Sequence, residues 1–274
     1  MQDDADNAQV TILVPNFRTA DLTRICLRLL RRHTDPGLAR VIVIDNDSGD
    51  ASLDYLRTLP WIELIERRAE PDDTPPLSHS RALDLALARV TTPFVLSIHT
   101  DTFVRRSDWL NVLLAPFAED QRLAGVGSWK LETKTLTQRI GRRIEQVWKV
   151  ALFRLTGRRT FRAERFDESL HYLRSHCAMY RMSAIREVGT GFADGQGPAG
   201  SVMHRKLVAA GWHMRFLESE LLGRYVDHLN HATTVLNPSL GSKASSIRAG
   251  RKKMRTMLRG IDADAILADD SLDR

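Results

Sequence analysis

The chain has 274 residues, is 43% hydrophobic and carries a formal net charge of +6. That length and apolar content suffice for a sizeable core, which excludes a disordered chain. No apolar run approaches the roughly 20 residues of a transmembrane helix, and the polar start MQDDADNAQ argues against a signal peptide, so we expect a cytoplasmic protein. Cys26 and Cys177 lie within apolar patterns, which predicts two reduced core thiols rather than a disulfide or a metal site.

Apolar runs of strand length alternate with helical patterns along the first half of the chain. The strands are predicted at Val10–Val14, Val41–Ile44, Trp61–Ile65 and Phe94–Ile98, and the helices at Leu22–His33, Leu77–Val90 and Ser107–Phe117. Strands that alternate with helices form a mostly parallel sheet with helices on its faces. We therefore predict an α/β fold.

The pattern becomes less regular in the second half. Apolar residues at i, i+4, i+8 and i+11 predict a long amphipathic helix at Leu136–Leu155 with a basic opposite face. Further along we predict a strand at His176–Tyr180, a helix in GSVMHRKLVAAGW and a strand at Met214–Leu217. The tail from Ser242 has a basic helical pattern that becomes acidic after Ile261.

The apolar strand FVLSI is followed directly by three polar residues, His99, Thr100 and Asp101. Ligands of open parallel sheets collect at the carboxyl ends of the strands, so a carboxylate there is a candidate site residue. The alternative is a helix cap or an Asx-turn, which is common for Asp before a loop. This stretch alone leaves both interpretations open.

Three segments together resemble the nucleotide-binding half of family 2 glycosyltransferases, which have the GT-A fold. They are VTILVPNF, VIVIDNDSGD and the strand that ends in HTD. The resemblance implies a Rossmann-like, mostly parallel sheet flanked by helices, with added helical segments. It also implies that Pro15, Asn16, Asp45 and Asp47 hold the base and ribose of a nucleotide. A carboxylate at a strand end can accept a hydrogen bond from a base N–H or a ribose hydroxyl.

In this resemblance HTD occupies the place of the family's DxD motif. Asp101 is then the ligand of a divalent cation, Mg²⁺ or Mn²⁺, that neutralises the leaving diphosphate. His99 replaces the first Asp of the motif and, with Thr100, is expected to contact the nucleotide sugar. His228 and His231, in YVDHLNHATTVLNP, resemble the family's histidine that completes the cation site.

Ser80 and Arg81, in SHSRALDLAL, lie where the family has polar residues near the nucleotide sugar. The resemblance implies that they bind the donor, and the alternative is that they belong to an ordinary helix surface.

The catalytic base departs from the family pattern. The family's Glu-Asp pair, which usually supplies the base, corresponds here to Ala199-Gly200. A base must lie within hydrogen-bond reach of the acceptor hydroxyl, and the nearby substitutes are Asp194, His204 and His176. Asp194 is the first choice, because it lies in the glycine-rich segment GFADGQGPAG just before the predicted helix. For His204 the alternative is a structural position on the surface of that helix.

The resemblance also suggests how the chain is divided. We expect a flexible start at 1–9, one GT-A domain at 10–240 and a basic helical tail at 241–274 that ends acidic. Within the domain, 10–130 would hold the nucleotide sugar, and 131–240 would hold the acceptor and carry a basic helical insertion at about 136–165.

The resulting expectation is a metal-dependent, inverting glycosyltransferase that uses a nucleotide-diphosphate sugar. Its acceptor would be a glycolipid or a surface polysaccharide at the inner face of the cell membrane. The basic residues of 136–165 beside Trp148 and Phe153 match a helix that lies on an anionic membrane surface. A core-facing helix with a solvated basic face is the alternative. Two other functions stay open: modification of a nucleic acid, whose phosphates attract the same cations, and binding without catalysis.

Overall fold

The computed structural model describes residues 8–131, 171–195, 197–230, 232–237 and 244–274. The predicted helix Leu136–Leu155, the basic segment 136–165 and His231 lie outside the described residues.

Seven strands form the main sheet, and the α/β fold predicted from the sequence is confirmed. In chain order they are β1 (Val10–Asn16), β2 (Ala39–Asn46), β3 (Ile62–Arg67), β4 (Phe94–Ile98), β6 (Leu123–Gly127), β7 (Cys177–Arg181) and β8 (His213–Phe216). Their spatial order is β3-β2-β1-β4-β7-β6-β8. The first four are parallel to one another, while β7 runs antiparallel to both β4 and β6. Their parallel carboxyl ends therefore share one edge of the sheet.

Helices cover both faces of this sheet. In chain order they are α1 (Ala20–His33), α2 (Ala51–Leu56), α3 (Pro75–Leu87), α4 (Trp109–Glu119), α5 (Met182–Val188), α6 (Ser201–Ala209), α7 (Ser219–Leu222), α8 (Ala232–Leu236), α9 (Ala244–Gly260) and α10 (Ala263–Ala268), with a final 3₁₀ turn at Asp270–Asp273. Among the helices of the described ranges, none combines the length and the apolar character needed to cross a bilayer.

The core consists of two layers, one on each face of the sheet. In β1, Ile12 and Val14 pack with α1 and α4 residues on one face, and Leu13 packs with α3, α5 and α6 residues on the other. Side chains of a strand alternate between its faces, so a sheet covered on both sides needs an uninterrupted apolar run. Cys26 and Cys177 are buried within these layers as free thiols.

The strands of the second half position residues that are distant in the sequence. Ile98 of β4 pairs with Cys177 of β7, so the residue after β4 lies beside the residue before β7. A small second sheet pairs β5 (Thr102–Val104) with β9 (Val226–His228), and Thr102 lies opposite His228. The chain that follows β4 is thereby held next to β7 and β9.

The chain between β6 and β7 leaves and re-enters the sheet at neighbouring points. Arg174 N–H donates to the Ser128 carbonyl at 3.0 Å, and Ser128 Oγ lies 3.2 Å from His176 Nε2. Gly127 permits this approach, because a Cβ there would lie 2.9 Å from the Cys177 carbonyl oxygen.

The last residues pack against the first helices through one buried cation. Arg28 is 4% exposed and donates to the carbonyls of Ile266 and Leu267 at 2.8 and 2.7 Å. Its guanidinium also pairs with the Asp273 carboxylate, which accepts a further bond from the Tyr55 hydroxyl at 2.7 Å. The tail that was predicted from its charge pattern is therefore anchored on α1 and α2.

Candidate active site

A cleft of about 810 Å³ opens at the carboxyl ends of β1, β2 and β4. The predicted residues that line it are Pro15, Asn16, Asp47, His99, Thr100, Asp101, His176 and His228. Those that do not line it are Asp45, Ser80, Arg81, Asp194 and His204. The fold thus brings most of the predicted site together and leaves one group of predicted residues outside it.

Asn16, the last residue of β1, is a buried hub beneath the cleft. Its Nδ2 lies 2.8 Å from Asp45 Oδ1, 2.9 Å from Ser52 Oγ and 3.1 Å from Ser48 Oγ. Its Oδ1 accepts a bond from the Thr23 hydroxyl at 2.6 Å. These bonds tie the ends of β1 and β2 to the starts of α1 and α2.

The two predicted aspartates after β2 have different surroundings. Asp45 is 2% exposed, and its oxygens accept from Asn16 Nδ2 and from the Ser48 backbone N–H at 3.1 Å. Asp47 has a left-handed backbone (φ 63°) and is exposed at the cleft. The structure therefore gives Asp45 a role in shaping the loop and leaves Asp47 facing the space where a ligand would lie.

Asp101 lies between two histidines at the base of the cleft. Its Oδ1 is 3.3 Å from His228 Nε2 and 3.9 Å from His99 Nδ1. Its Oδ2 accepts a bond from the Ala232 backbone N–H at 3.3 Å, and its carbonyl accepts from Leu229 N–H at 2.9 Å. The pairing of β5 with β9 is what brings His228 to this carboxylate.

The charge of Asp101 is maintained despite its burial. Burial alone would raise the pKa of this carboxyl, but His228, His99 and the Ala232 N–H together hold it well below its usual range. His228 Nε2 is close to Oδ1, yet the alignment is not that of a hydrogen bond, and Oδ1 has no hydrogen-bond partner among the described residues. The buried His228 Nδ1 likewise has none.

These three side chains can hold a cation. One ligand atom each from His99, Asp101 and His228 lies within 4.8 Å of the other two. Neutral imidazole nitrogens and an ionised carboxylate oxygen are common donors to divalent metals. An unpaired buried carboxylate oxygen is costly unless a cation or a donor satisfies it, so the residues present fit a divalent ion.

A hydroxyl bridges two histidines in the cleft wall. Ser175 Oγ lies 3.0 Å from His99 Nε2 and 3.3 Å from His79 Nε2. Burial lowers the pKa of His99 to about 3 and that of His79 to about 4, so both rings are neutral at pH 7. Neither His79 nor Ser175 was predicted. The signal was present for His79, because it lies near the start of a helix that follows a parallel strand, and that end of the helix lies at the carboxyl edge of the sheet.

His176 is the one predicted base that lines the cleft. Its ring stacks on His228, with centroids 4.5 Å apart and planes 13° apart, and its Nε2 lies 3.2 Å from Ser128 Oγ. Burial lowers the pKa of His176, and the neighbouring His228 and His99 lower it further. The ring is therefore unprotonated at neutral pH, and its lowered pKa also makes it a weaker base than a free histidine.

The other two predicted bases have partners outside the cleft. Asp194 accepts from the Lys206 ammonium at 2.9 Å and from the Thr190 hydroxyl, which ties the loop before α6 to that helix. His204 is 3% exposed, packs on Phe216 and lies 3.4 Å from the Leu173 backbone N–H through its Nδ1. The surface position that was the alternative for His204 is wrong, because the ring is buried.

The position of the missing Glu-Asp pair adjoins the cleft. Ala199 lines it, and Gly200 precedes α6 with a left-handed backbone (φ 76°) that favours glycine. The turn into α6 is therefore present without the carboxylates.

Ser80 and Arg81 are engaged within their own helix and loop. The Ser80 hydroxyl donates to the Pro76 carbonyl at 2.9 Å. The Arg81 guanidinium pairs with Asp72 and Asp73 at 2.8 and 2.7 Å. Their part in donor binding stays a prediction.

Three cations of the cleft wall were not predicted. They are Arg18, Lys130 and Arg174. Arg18 follows β1, and Lys130 and Arg174 lie at the two ends of the β6–β7 connection. The cleft is also lined by the carboxylates of Asp47, Glu70, Asp73 and Asp101, so these cations can contact an anionic group locally but do not give the whole cleft a positive charge.

Residues 11–189 match the profile of the family described as Glycosyl transferase family 2. No curated protein matches this chain significantly.

A solved structure shows the same fold. A mannosyltransferase from Pyrobaculum calidifontis in complex with GDP-Man and Mn²⁺ has a TM-score of 0.53 and 20% identity, covering 76% of this chain and 54% of that one. TarS 1-349 from S. aureus has a TM-score of 0.49 and 15% identity, covering 73% of this chain and 55% of that one. This chain spans about half the length of these two solved chains.

Proposed function

This chain belongs to glycosyl transferase family 2 and has the GT-A fold, and on that premise we propose that it is a glycosyltransferase. It transfers a sugar from a nucleotide-diphosphate donor that binds in the cleft. The observation that carries the proposal is the buried, ionised Asp101 between His99 and His228, with Oδ1 lacking a hydrogen-bond partner among the described residues. A divalent cation at these residues, Mg²⁺ or Mn²⁺ in the family's usage, would neutralise charge on the leaving diphosphate.

The remaining cleft residues have complementary roles in binding the donor. Asn16 and Asp45 hold the loop on which Asp47 is exposed, so Asp47 can accept hydrogen bonds from the base or ribose. Arg18, Lys130 and Arg174 supply positive charge along the cleft wall, which suits a diphosphate. Thr100 Oγ1 lies 3.1 Å from Thr19 Oγ1, which joins the HTD turn to the start of α1.

For an inverting transfer we propose His176 as the base that takes the proton of the acceptor hydroxyl. It lines the cleft, it is neutral, and its stacking on His228 fixes the plane of its ring. Asp194, the first choice from the sequence, is paired with Lys206 and stays an alternative. Loss of general-base catalysis costs roughly 10² to 10⁴-fold in rate, so His176→Gln should slow transfer by that amount.

Asp194→Asn is the matched control for His176→Gln. It removes the alternative base and the pair with Lys206 while leaving the cleft lining unchanged. Asp194→Asn should bind donor as tightly as the wild type. His176→Gln also removes the ring that stacks on His228, so its metal and donor affinities are measured and its rate is compared at saturating metal and donor. A slow Asp194→Asn enzyme beside a fully active His176→Gln enzyme would reverse the assignment.

We further propose an acceptor at an anionic membrane surface, a glycolipid or a polysaccharide that grows there. The described residues contribute α9, which has six exposed basic side chains and no acidic one: Arg248, Arg251, Lys252, Lys253, Arg255 and Arg259. Its Met254, Met257 and Leu258 pack against the core, so the basic face points outward. Each cation near an anionic surface contributes about 1 kcal/mol.

Vesicle sedimentation tests this surface. Replacing Arg251, Lys252 and Arg255 by Glu should release the protein from anionic vesicles at low salt. Replacing Arg68, Arg205 and Arg215, three exposed residues elsewhere, by Glu changes the net charge equally and should leave binding unchanged. A wild-type protein that ignores anionic vesicles but binds duplex RNA or DNA would favour the nucleic-acid acceptor instead.

The donor itself is tested by calorimetric titration of nucleotide sugars, followed by measurement of released nucleoside diphosphate with a lipid-linked acceptor. We expect one nucleotide sugar to bind and to be turned over, with both activities dependent on a divalent cation. Failure of every nucleoside diphosphate sugar to bind the metal-loaded protein would contradict the proposed function.

A further inference from the structure

The cation site has an unusual donor set for a cleft built to bind a diphosphate. Two of its three protein ligand atoms are imidazole nitrogens, from His99 and His228, and one is the carboxylate oxygen of Asp101. Mg²⁺ is a hard ion that favours oxygen ligands and retains several waters. Imidazole suits zinc, iron, copper and nickel better, and its affinity rises along the first transition row.

The ring of His99 is oriented toward this site by its neighbours. Its Nε2 lies 3.0 Å from Ser175 Oγ, and the same hydroxyl lies 3.3 Å from His79 Nε2. This contact occupies Nε2 and leaves Nδ1 directed at Asp101, 3.9 Å from Oδ1. A hydrogen bond on the far nitrogen of a histidine is the usual device that fixes the tautomer of a metal ligand.

The ring of His228 is fixed on the opposite side of the carboxylate. His176 stacks on it with planes 13° apart, and β5–β9 pairing holds its backbone opposite Thr102. Its Nε2 lies 3.3 Å from the same Asp101 Oδ1. Two nitrogens therefore converge on one carboxylate oxygen that has no hydrogen-bond donor among the described residues.

From this convergence we propose that the site selects a transition-metal ion, in the order Zn²⁺, Co²⁺, then Mn²⁺, and discriminates against Mg²⁺. The inference rests on the proposed function, in which these residues hold a divalent cation. Residue 99 determines the preference, because it supplies a nitrogen where an aspartate would supply an oxygen. Ser175 is a positioning residue that acts through His99.

Metal binding is measured on the full chain after chelator treatment, with each metal alone as the probe. Calorimetry gives the dissociation constants for Zn²⁺, Co²⁺, Mn²⁺ and Mg²⁺, and the visible absorption of Co²⁺ reports whether nitrogen ligands enter its coordination sphere. We expect Mg²⁺ to bind at least tenfold more weakly than Mn²⁺, and Co²⁺ to bind more tightly than Mn²⁺.

The decisive variant is His99→Asp. It should raise the dissociation constants of Zn²⁺ and Co²⁺ at least tenfold, lower that of Mg²⁺ and alter the Co²⁺ spectrum. His213→Asn is the control, because His213 is an exposed histidine paired with Asp120 away from the cleft, and loss of its imidazole should change none of these values. Ser175→Ala keeps all three ligands and should weaken Co²⁺ binding by roughly 10 to 100-fold, the usual effect of losing such a partner.

Equal affinities of the wild type for Mg²⁺ and Mn²⁺ would overturn the inference, and so would a His99→Asp protein with an unchanged order of metals. Neither result would touch the proposed transfer reaction, which a Mg²⁺ enzyme can also perform. Conversely, a protein that shows the expected order of metals but binds no nucleotide sugar would contradict the proposed function and support the metal preference. If His99→Asp fails to fold, the wild-type ranking and the Ser175→Ala protein still decide.

Discussion

Replacement of Asn16 by Leu should destabilise the protein and weaken donor binding together. The side chain has nearly the same shape, so the change removes hydrogen bonds without opening a large cavity. Nδ2 carries two N–H groups and faces three acceptors, so two are satisfied at a time. Oδ1 accepts a bond from the Thr23 hydroxyl at 2.6 Å and a longer one from the Thr19 hydroxyl at 3.4 Å. Three short bonds are therefore lost from the buried network, together with the longer contact to Thr19.

The magnitude follows from the partners of these bonds. Two neutral bonds contribute about 1 kcal/mol each, and the bond to the Asp45 carboxylate, a charged and buried acceptor, about 2 kcal/mol. Asn16→Leu should therefore lower the free energy of unfolding by about 4 kcal/mol, a large part of the roughly 5–15 kcal/mol that a domain has.

Urea unfolding followed by tryptophan fluorescence measures the stability, and calorimetry on the folded variant measures donor affinity. The matched control is Thr92→Val. Thr92 Oγ1 lies 2.7 Å from Thr11 Oγ1 and donates to the Phe94 carbonyl at 2.8 Å, near the start of β1 and away from the cleft lining. Loss of these two neutral bonds should cost about 2 kcal/mol and leave donor affinity unchanged. If Asn16→Leu were no more destabilising than this control, the network beneath the cleft would not be the support we describe.

Three further changes test other parts of the molecule. Asp101→Ala should abolish metal-induced thermal stabilisation and slow transfer by roughly 10²-fold or more, since a cation supplies several kcal/mol to the transition state; unchanged turnover would contradict the cation site. Arg28→Met should cost about 3 kcal/mol in urea unfolding, because two carbonyls and Asp273 lose their buried donor while Asp273 keeps its bond from the Tyr55 hydroxyl. A cost below that of Thr92→Val would refute the anchoring of the tail. Burial and the neighbouring Arg205 lower the pKa of His204 to about 4 in the folded protein. The unfolded chain, in which this histidine has a pKa of about 6.5, therefore binds the proton more tightly, and the wild type loses stability as the pH falls from about 6.5 to about 4. His204→Phe should lose less over that window in unfolding at pH 7 and 4.5, and an equal loss would exclude this residue as a cause.

The parallel half of the fold could be predicted because its strands are buried on both faces. Their continuous apolar runs fix the strands to within a few residues, as with β4 at Phe94–Ile98, whose predicted bounds are those observed. The same argument fails for β5 and β9, since three-residue strands carry too little pattern to distinguish from a loop. It also fails for α2, a six-residue helix whose clearest sign is the Asp50 cap that accepts from Ser52 N–H.

The site was predictable where it lies at the ends of those strands. His99, Thr100 and Asp101 follow β4 directly, and their place in the cleft was expected. No local pattern shows that β7 runs antiparallel beside β4, and that pairing alone brings His176 next to His99. Asp194 was favoured as the base because it is close to α6 in the sequence. Its carboxylate, however, pairs with Lys206 of that same helix.

The closed base of the β6–β7 connection bears on how the chain tolerates changes of length at this point. The bond from Arg174 N–H to the Ser128 carbonyl, with the Ser128 contact to His176, fixes the two ends of the intervening chain independently of its content. Once the ends of a loop are fixed, doubling its length costs only about 0.6 kcal/mol in closure entropy. Changes in the length of the chain between residues 131 and 171 should therefore cost little in stability and leave the histidine–aspartate centre intact.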